Sequence, residues 1–111
     1  RGPSEAEVRG EVARVIQAYA AALEAKDVAA VRKLYPTMTD RRERELRTSL
    51  PNLRNLRVQL AVADVQLSGD LATATVTGAW TFVAGGNHTE LPANNVYSLA
   101  RRGDWVITEI R

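Results

Sequence analysis

Few residues in this chain have the type and setting for chemistry, and they do not form a set. Tyr19 lies in the middle of an apolar run and could donate a hydrogen bond inside a pocket, or satisfy its hydroxyl on a backbone carbonyl in a filled core. Asp64 and Glu90 are the acids best placed to act as a general base, yet Asp64 also reads as a bulge residue and Glu90 as an outer-face charge. His88, the only histidine, follows Gly85-Gly86-Asn87 and reads as a solvated turn residue. Without cysteines or further histidines it offers no metal site. Asn94-Asn95 can hydrogen-bond a ligand or ease a twist after Pro92. No Ser/His/Asp set, glycine-rich phosphate loop or close carboxylate pair occurs, so no catalytic residue, metal or cofactor is expected. The possible ligand contacts are Tyr19, Tyr35, Trp80, Phe82, Asn95, Tyr97 and Trp105, which either line a pocket or fill it.

The elements that must position these groups follow from periodicity. Ser4 and Glu7 make a capping box, after which Val8, Val12, Val15, Ile16, Tyr19 and Leu23 form one helical stripe, predicting a helix over 5–25. Asp27 caps a short second helix carrying Val28, Val31 and Leu34, which Pro36 stops at Tyr35. A third, mostly polar helix, capped by Thr37 or Thr39, runs to about Leu50 ahead of Pro51.

From Leu56 the period becomes two. Leu56, Val58, Leu60 and Val62 share a face, and the parity slips before Val65 and Leu67, predicting a β-bulge near Asp64. The next strand places Ala72, Ala74, Val76, Gly78, Trp80 and Phe82 on one face and Thr73, Thr75, Thr77, Ala79 and Thr81 on the other. Gly78 in mid-strand implies a bend or a close approach by another chain segment. A third strand over 88–100, weak at Pro92, and a fourth over 105–110 complete a four-stranded, mainly antiparallel meander. The amphipathic first helix is its natural cover. Uncharged Thr73, Thr75, Thr77 and Thr81 suit sheet-to-sheet contact between two copies.

The length of 111 residues allows one domain, 1–111, with residues 1–4 as a linker. Starting at Arg1-Gly2-Pro3 without Met, the chain reads as a piece of a longer protein. Net charge is +2, with the excess of arginine in Arg41, Arg42, Arg44, Arg47, Arg54 and Arg57. Glu43 and Glu45 interrupt that run and no aromatics interleave it, so it reads as a solvated helix face and no nucleic-acid partner is expected. No apolar run reaches the ~20 residues that span a bilayer, so this segment is not expected to insert in a membrane. Compartment is unreadable: cytoplasmic, or extracytoplasmic if the parent is membrane-anchored.

The order long helix, short helix, short helix, curved sheet resembles the NTF2-like superfamily of cone-shaped α+β domains, over nearly the whole chain. The residues carrying the resemblance are Tyr-Ala-Ala-Ala-Leu-Glu-Ala-Lys-Asp at 19–27, Leu34-Tyr35-Pro36, and the last strand, Gly-Asp-Trp-Val-Ile at 103–107. It is similar in particular to the domains at the C-terminal ends of some bacterial serine/threonine kinases and other multidomain bacterial proteins. The resemblance implies a non-catalytic accessory module that dimerises through its sheet or binds a small apolar ligand or peptide in the cone. The alternative it implies is a cofactor-free enzyme like ketosteroid isomerase or SnoaL, acting on an apolar substrate. In the isomerase a tyrosine in a similar helix end supplies an oxyanion hydrogen bond, and Tyr19 occupies that place. The base is expected after helix 2, where this chain has Pro36-Thr37-Met38-Thr39. The second acid belongs on a late strand, where Asn95, Tyr97 and Leu99 stand.

Overall fold

The computed structural model describes residues 4–111, so most of the expected linker lies outside the described residues, and Ser4 is the cap of the first helix. Helix α1 spans Glu5–Glu24, with the Ser4 hydroxyl accepting from Glu7 N–H at 3.2 Å and the Glu7 carboxylate reaching back to Ser4. Its apolar stripe buries Val12, Ile16, Tyr19 and Leu23. Lys26, at φ 59°, turns the chain out of α1. Asp27 then caps α2, Val28–Leu34, by accepting from Ala30 N–H. Thr39 caps α3, Asp40–Ser49, which runs into a single 3₁₀ turn, Leu50–Asn52, containing Pro51.

Five strands follow: β1 Arg54–Ser68, β2 Leu71–Ala84, β3 Asn87–Pro92, β4 Asn95–Arg102 and β5 Asp104–Ile110. All pair antiparallel, in the order β1-β2-β4-β5, with β3 also on β2. The expected bulge is there, a one-residue shift between Val62 and Asp64 that returns Val65 to the buried face.

The expectation of four strands needs correction, because the stretch 88–100 is two strands. β3 and β4 pair with successive parts of β2 in one continuous register, Ala79 opposite Pro92 and Val76 opposite Asn95, with a break at Ala93-Asn94. Pro92 has no N–H to offer a ladder. At the break Ala93 N–H donates to Gly78 O at 2.8 Å, and Asn94 Oδ1 accepts from Gly78 N–H at 3.4 Å. Gly78 is required for a different reason: a Cβ there would stand 2.0 Å from the Gln59 carbonyl oxygen on β1.

The inner face of the sheet carries Leu56, Val58, Leu60, Val65, Ala72, Ala74, Val76, Phe82, Tyr97, Leu99, Trp105 and Ile107, all buried with α1 and α2 above them. β1 lies at the edge of the sheet, and its free side does not face solvent alone. A polar stripe of α1 runs beside the apolar one and bonds that edge. Gln17 Nε2 donates to Leu60 O at 2.6 Å, Val58 N–H donates to Glu24 Oε1 at 2.9 Å, and the Arg9 guanidinium donates to Val65 O. Lys26 continues the row with Leu53 O at 2.6 Å. The helix thus seals the core with one stripe and satisfies a strand edge with the next.

Candidate ligand cleft

Where the sheet curves away from the helices, a cleft of about 500 Å³ opens between α1, the end of α2, the first turn of α3 and strands β2 to β5. It is lined by Tyr19, Tyr35, Arg42, Trp80, Leu91, Pro92, Ala93, Asn95, Tyr97 and Ile110. Each is delivered by a local rule. Tyr19 follows Ile16 on the helix stripe, Tyr35 is the residue at which Pro36 ends α2, and Arg42 sits in the first turn of α3 behind the Thr39 cap. Trp80 shares the inner face of β2 and pairs with Leu91 on β3, while Tyr97 pairs with Ile110.

Tyr19 is the hub. Its ring meets Tyr35 edge-on at 6.5 Å and Tyr97 edge-on at 5.9 Å, arrangements that aromatic quadrupoles favour. Burial pushes the Tyr19 phenol up to about 12, against the smaller opposing pull of the Arg42 charge. Burial pushes Tyr97 up as well, with Tyr19 and Tyr35 adding to the effect. Both phenols are therefore neutral at physiological pH and can donate.

Among the described residues the one fully enclosed side-chain polar atom without a partner is Trp105 Nε1. No backbone carbonyl among them accepts from the three phenols, and none of the three hydroxyls is a fully enclosed atom without a partner. Asn95 Nδ2 is committed to Arg111 O at 3.0 Å, which ties the end of the chain to β4 and leaves the Asn95 carbonyl as the acceptor available to the cleft.

Five of the seven expected contacts, Tyr19, Tyr35, Trp80, Asn95 and Tyr97, come together here. Two do not. Phe82 is buried in the core at 8% exposure. Trp105 lies in a separate groove of about 600 Å³ between α1 and the β4–β5 turn, with Arg101 stacked 5.7 Å over its ring. The inner face of a long curved sheet has two ends, and alternation alone does not say which end a residue serves. Arg42 and Leu91 were missed: Arg42 looked like one more solvated arginine, and Leu91 sat beside the proline that weakened its strand.

The acids stand elsewhere. Asp64, Glu90 and Glu109 are all exposed on the strands, and no carboxylate lines the cleft. Met38, on the segment where an isomerase base is expected, is 3% exposed and part of the core. Of the threonine face, Thr73, Thr75 and Thr77 are exposed and Thr81 is half-buried. His88 is exposed. Most of the α3 arginines are internally paired: Arg47 with Glu43 at 3.0 Å, Arg41 with Glu45 at 3.3 Å, and Arg42 with Glu45 at 3.6 Å. No helix among the described residues is long and apolar enough to cross a membrane.

A curved antiparallel sheet closed by three N-terminal helices around a cleft is the NTF2-like fold, and several solved structures of similar shape carry that name. A provisionally assigned dehydratase of the NTF2-like family from Streptomyces avermitilis superposes with a TM-score of 0.82 over 96% of this chain and 95% of its own, at 13% identity. An NTF2-like superfamily protein from Salmonella enterica serovar Typhimurium gives 0.78 over 97% of this chain and 91% of its own, at 14% identity. A protein with a ketosteroid isomerase-like fold from Catenulispora acidiphila, solved with trimethylamine, gives 0.56 over 86% and 81%, at 18% identity. No family model and no curated protein sequence matches the chain. At these identities the likeness is one of fold.

Proposed function

We propose that this domain is a ligand-binding accessory module of a larger bacterial protein, holding a small, largely apolar molecule in the tyrosine-lined cleft and pairing with a second copy through the Thr73–Thr77 face of the sheet. The observation that carries the binding reading is the cleft itself. Its volume of about 500 Å³ falls within the range of small-molecule sites, and its lining combines aromatic surface with a few polar side chains. The absence of a carboxylate from its lining favours binding over the isomerase-like alternative, which needs a base and a second acid beside the tyrosine.

Trp80 lines the cleft, so its fluorescence reports occupancy directly. Titration with apolar aromatic and alkyl probes is expected to give saturable changes that Trp80→Phe abolishes. No saturation with any of them would reject the binding reading. Turnover of a ketosteroid at a rate that Tyr19→Phe reduces would favour the enzyme instead. Pairing is tested by light scattering: a concentration-dependent dimer that Thr75→Arg dissociates is expected, and a monomer at every concentration would reject it. The accessory role rests on the resemblance to kinase-appended domains and is tested by reading the parent coding sequence upstream of Arg1.

A further inference from the structure

The polar groups of the cleft are one-sided. Among the described residues Arg42 is the only charged one in its lining; the remaining polar side chains are three phenols and the Asn95 amide, whose nitrogen donates to Arg111 O. The nearest counter-charge to Arg42 is poorly placed to neutralise it. Glu45 stands 3.6 Å from Arg42 and is shared with Arg41 at 3.3 Å, so one carboxylate faces two guanidiniums. The other acids of that helix are taken too, Asp40 by Arg32 at 3.3 Å and Glu43 by Arg32 and by Arg47 at 3.0 Å. The Arg42 charge reaches the Tyr19 phenol, which places it electrostatically inside the site although its side chain is 52% exposed.

The sheet side of the cleft is largely apolar. Trp80, Leu91, Pro92, Ala93 and Ile110 line it beside Asn95 and Tyr97, and Leu91, 50% exposed, is one of two large aliphatic side chains left uncovered among the described residues. A ligand matching both sides has an apolar body and one acceptor-rich anionic end.

Building on the binding reading above, we propose that the cleft selects an amphipathic monocarboxylate, with its carboxylate held by Arg42 and the tyrosine hydroxyls and its aryl or alkyl body laid against Trp80, Leu91 and Ile110. A guanidinium is the side chain best suited to a planar carboxylate, and charge-assisted hydrogen bonds are about twice as strong as neutral ones. The positive charge of Arg42 disfavours a cation in the same cleft.

Isothermal titration calorimetry with 2-naphthoate and octanoate, each beside its neutral primary amide, tests this on the whole chain at low salt. The carboxylates should bind about tenfold more tightly than their amides, the scale of one charge-assisted contact. Arg42→Gln should erase that preference, Arg42→Lys should retain part of it, and Arg44→Gln, an exposed neighbour outside the cleft, should retain all of it. Equal binding of acid and amide by the native protein would overturn the carboxylate assignment while leaving the cleft as a binding site. Persistence of the full preference in folded Arg42→Gln would overturn the role of Arg42. Failure of all four probes to bind would overturn this proposal and the binding reading together.

Discussion

Replacing Gly78 with alanine tests whether the cleft depends on the close approach of β1 and β2. An alanine Cβ would meet Gln59 O at 2.0 Å, whereas ordinary contact begins at 3.4 Å, so 1.4 Å must be found. The obstacle is backbone, with Gln59 C and Leu60 Cα also at 3.0 Å, so no rotamer change relieves it. Paired strands sit about 4.8 Å apart, and a local separation of that size would stretch the ladder bonds on either side of Leu60–Gly78 beyond useful length. Two lost backbone hydrogen bonds cost about 2 kcal/mol, residual overpacking adds about 1–3, and the stiffer unfolded chain returns under 1. The expected net loss is about 3 kcal/mol. It should appear as a lower urea midpoint at unchanged slope, with Thr77→Ala on the exposed face within about 0.5 kcal/mol of native as the control. Trp80, two residues along the same strand and paired with Val58, should shift its emission as well. A Gly78→Ala protein within 0.5 kcal/mol of native would refute the close-approach argument.

Three further outcomes follow from the site and its supports. Because no carbonyl receives the Tyr19 hydroxyl, Tyr19→Phe should change stability by less than about 0.5 kcal/mol in thermal unfolding; a loss near 1 kcal/mol would mean a satisfied core tyrosine after all. The phenols of Tyr19, raised to about 12, and Tyr97, raised further, hold their protons more tightly folded than unfolded. Their contribution to stability is thus complete below pH 10 and lost as pH rises through the folded values. Chemical denaturation should show a decline of about 1.4 kcal/mol per pH unit for each phenol above pH 10, and a flat profile there would contradict their burial. Glu24→Ala leaves the Val58 N–H without its acceptor and should cost about 1–2 kcal/mol, visible as faster amide exchange at Val58; unchanged exchange would refute the edge contact.

The fold was legible because its determinants are local. The capping box at Ser4, the Asp27 and Thr39 caps, the parity slip before Val65 and the alternation of β2 each act within a few residues, and each appears where the periodicities put it. The break in 88–100 was visible only as weakness at Pro92, because whether a proline bends a strand or ends it depends on the partner opposite. Here Ala79 stands opposite Pro92, and the break falls one residue on, where Ala93 N–H reaches Gly78 O. The site was half legible. Tyr19, Tyr35 and Tyr97 could be placed inward from helix and strand parity, but parity does not separate the two ends of the inner face, so Trp105 and Phe82 were grouped with them. Arg42 could not be found at all from the chain, since its place in the cleft is set by how α3 packs against α2. Likewise Gln17 and Glu24 fall outside the apolar stripe of the first helix, and only its packing shows that they bond β1.

The bonds from α1 to β1 bear on how this domain behaves outside its native state. A bare edge strand fifteen residues long, presenting unused donors and acceptors beside alternating Leu and Val, is a template on which another copy can polymerise. With Arg9, Gln17, Glu24 and Lys26 occupying positions along that template, growth of the sheet from this side is blocked while the helix is docked. Fragments beginning after Asp27 would lose that guard along with the main cover of the core. They should form β-rich aggregates rather than simply unfold, and domain boundaries drawn for expression need to start no later than Ser4.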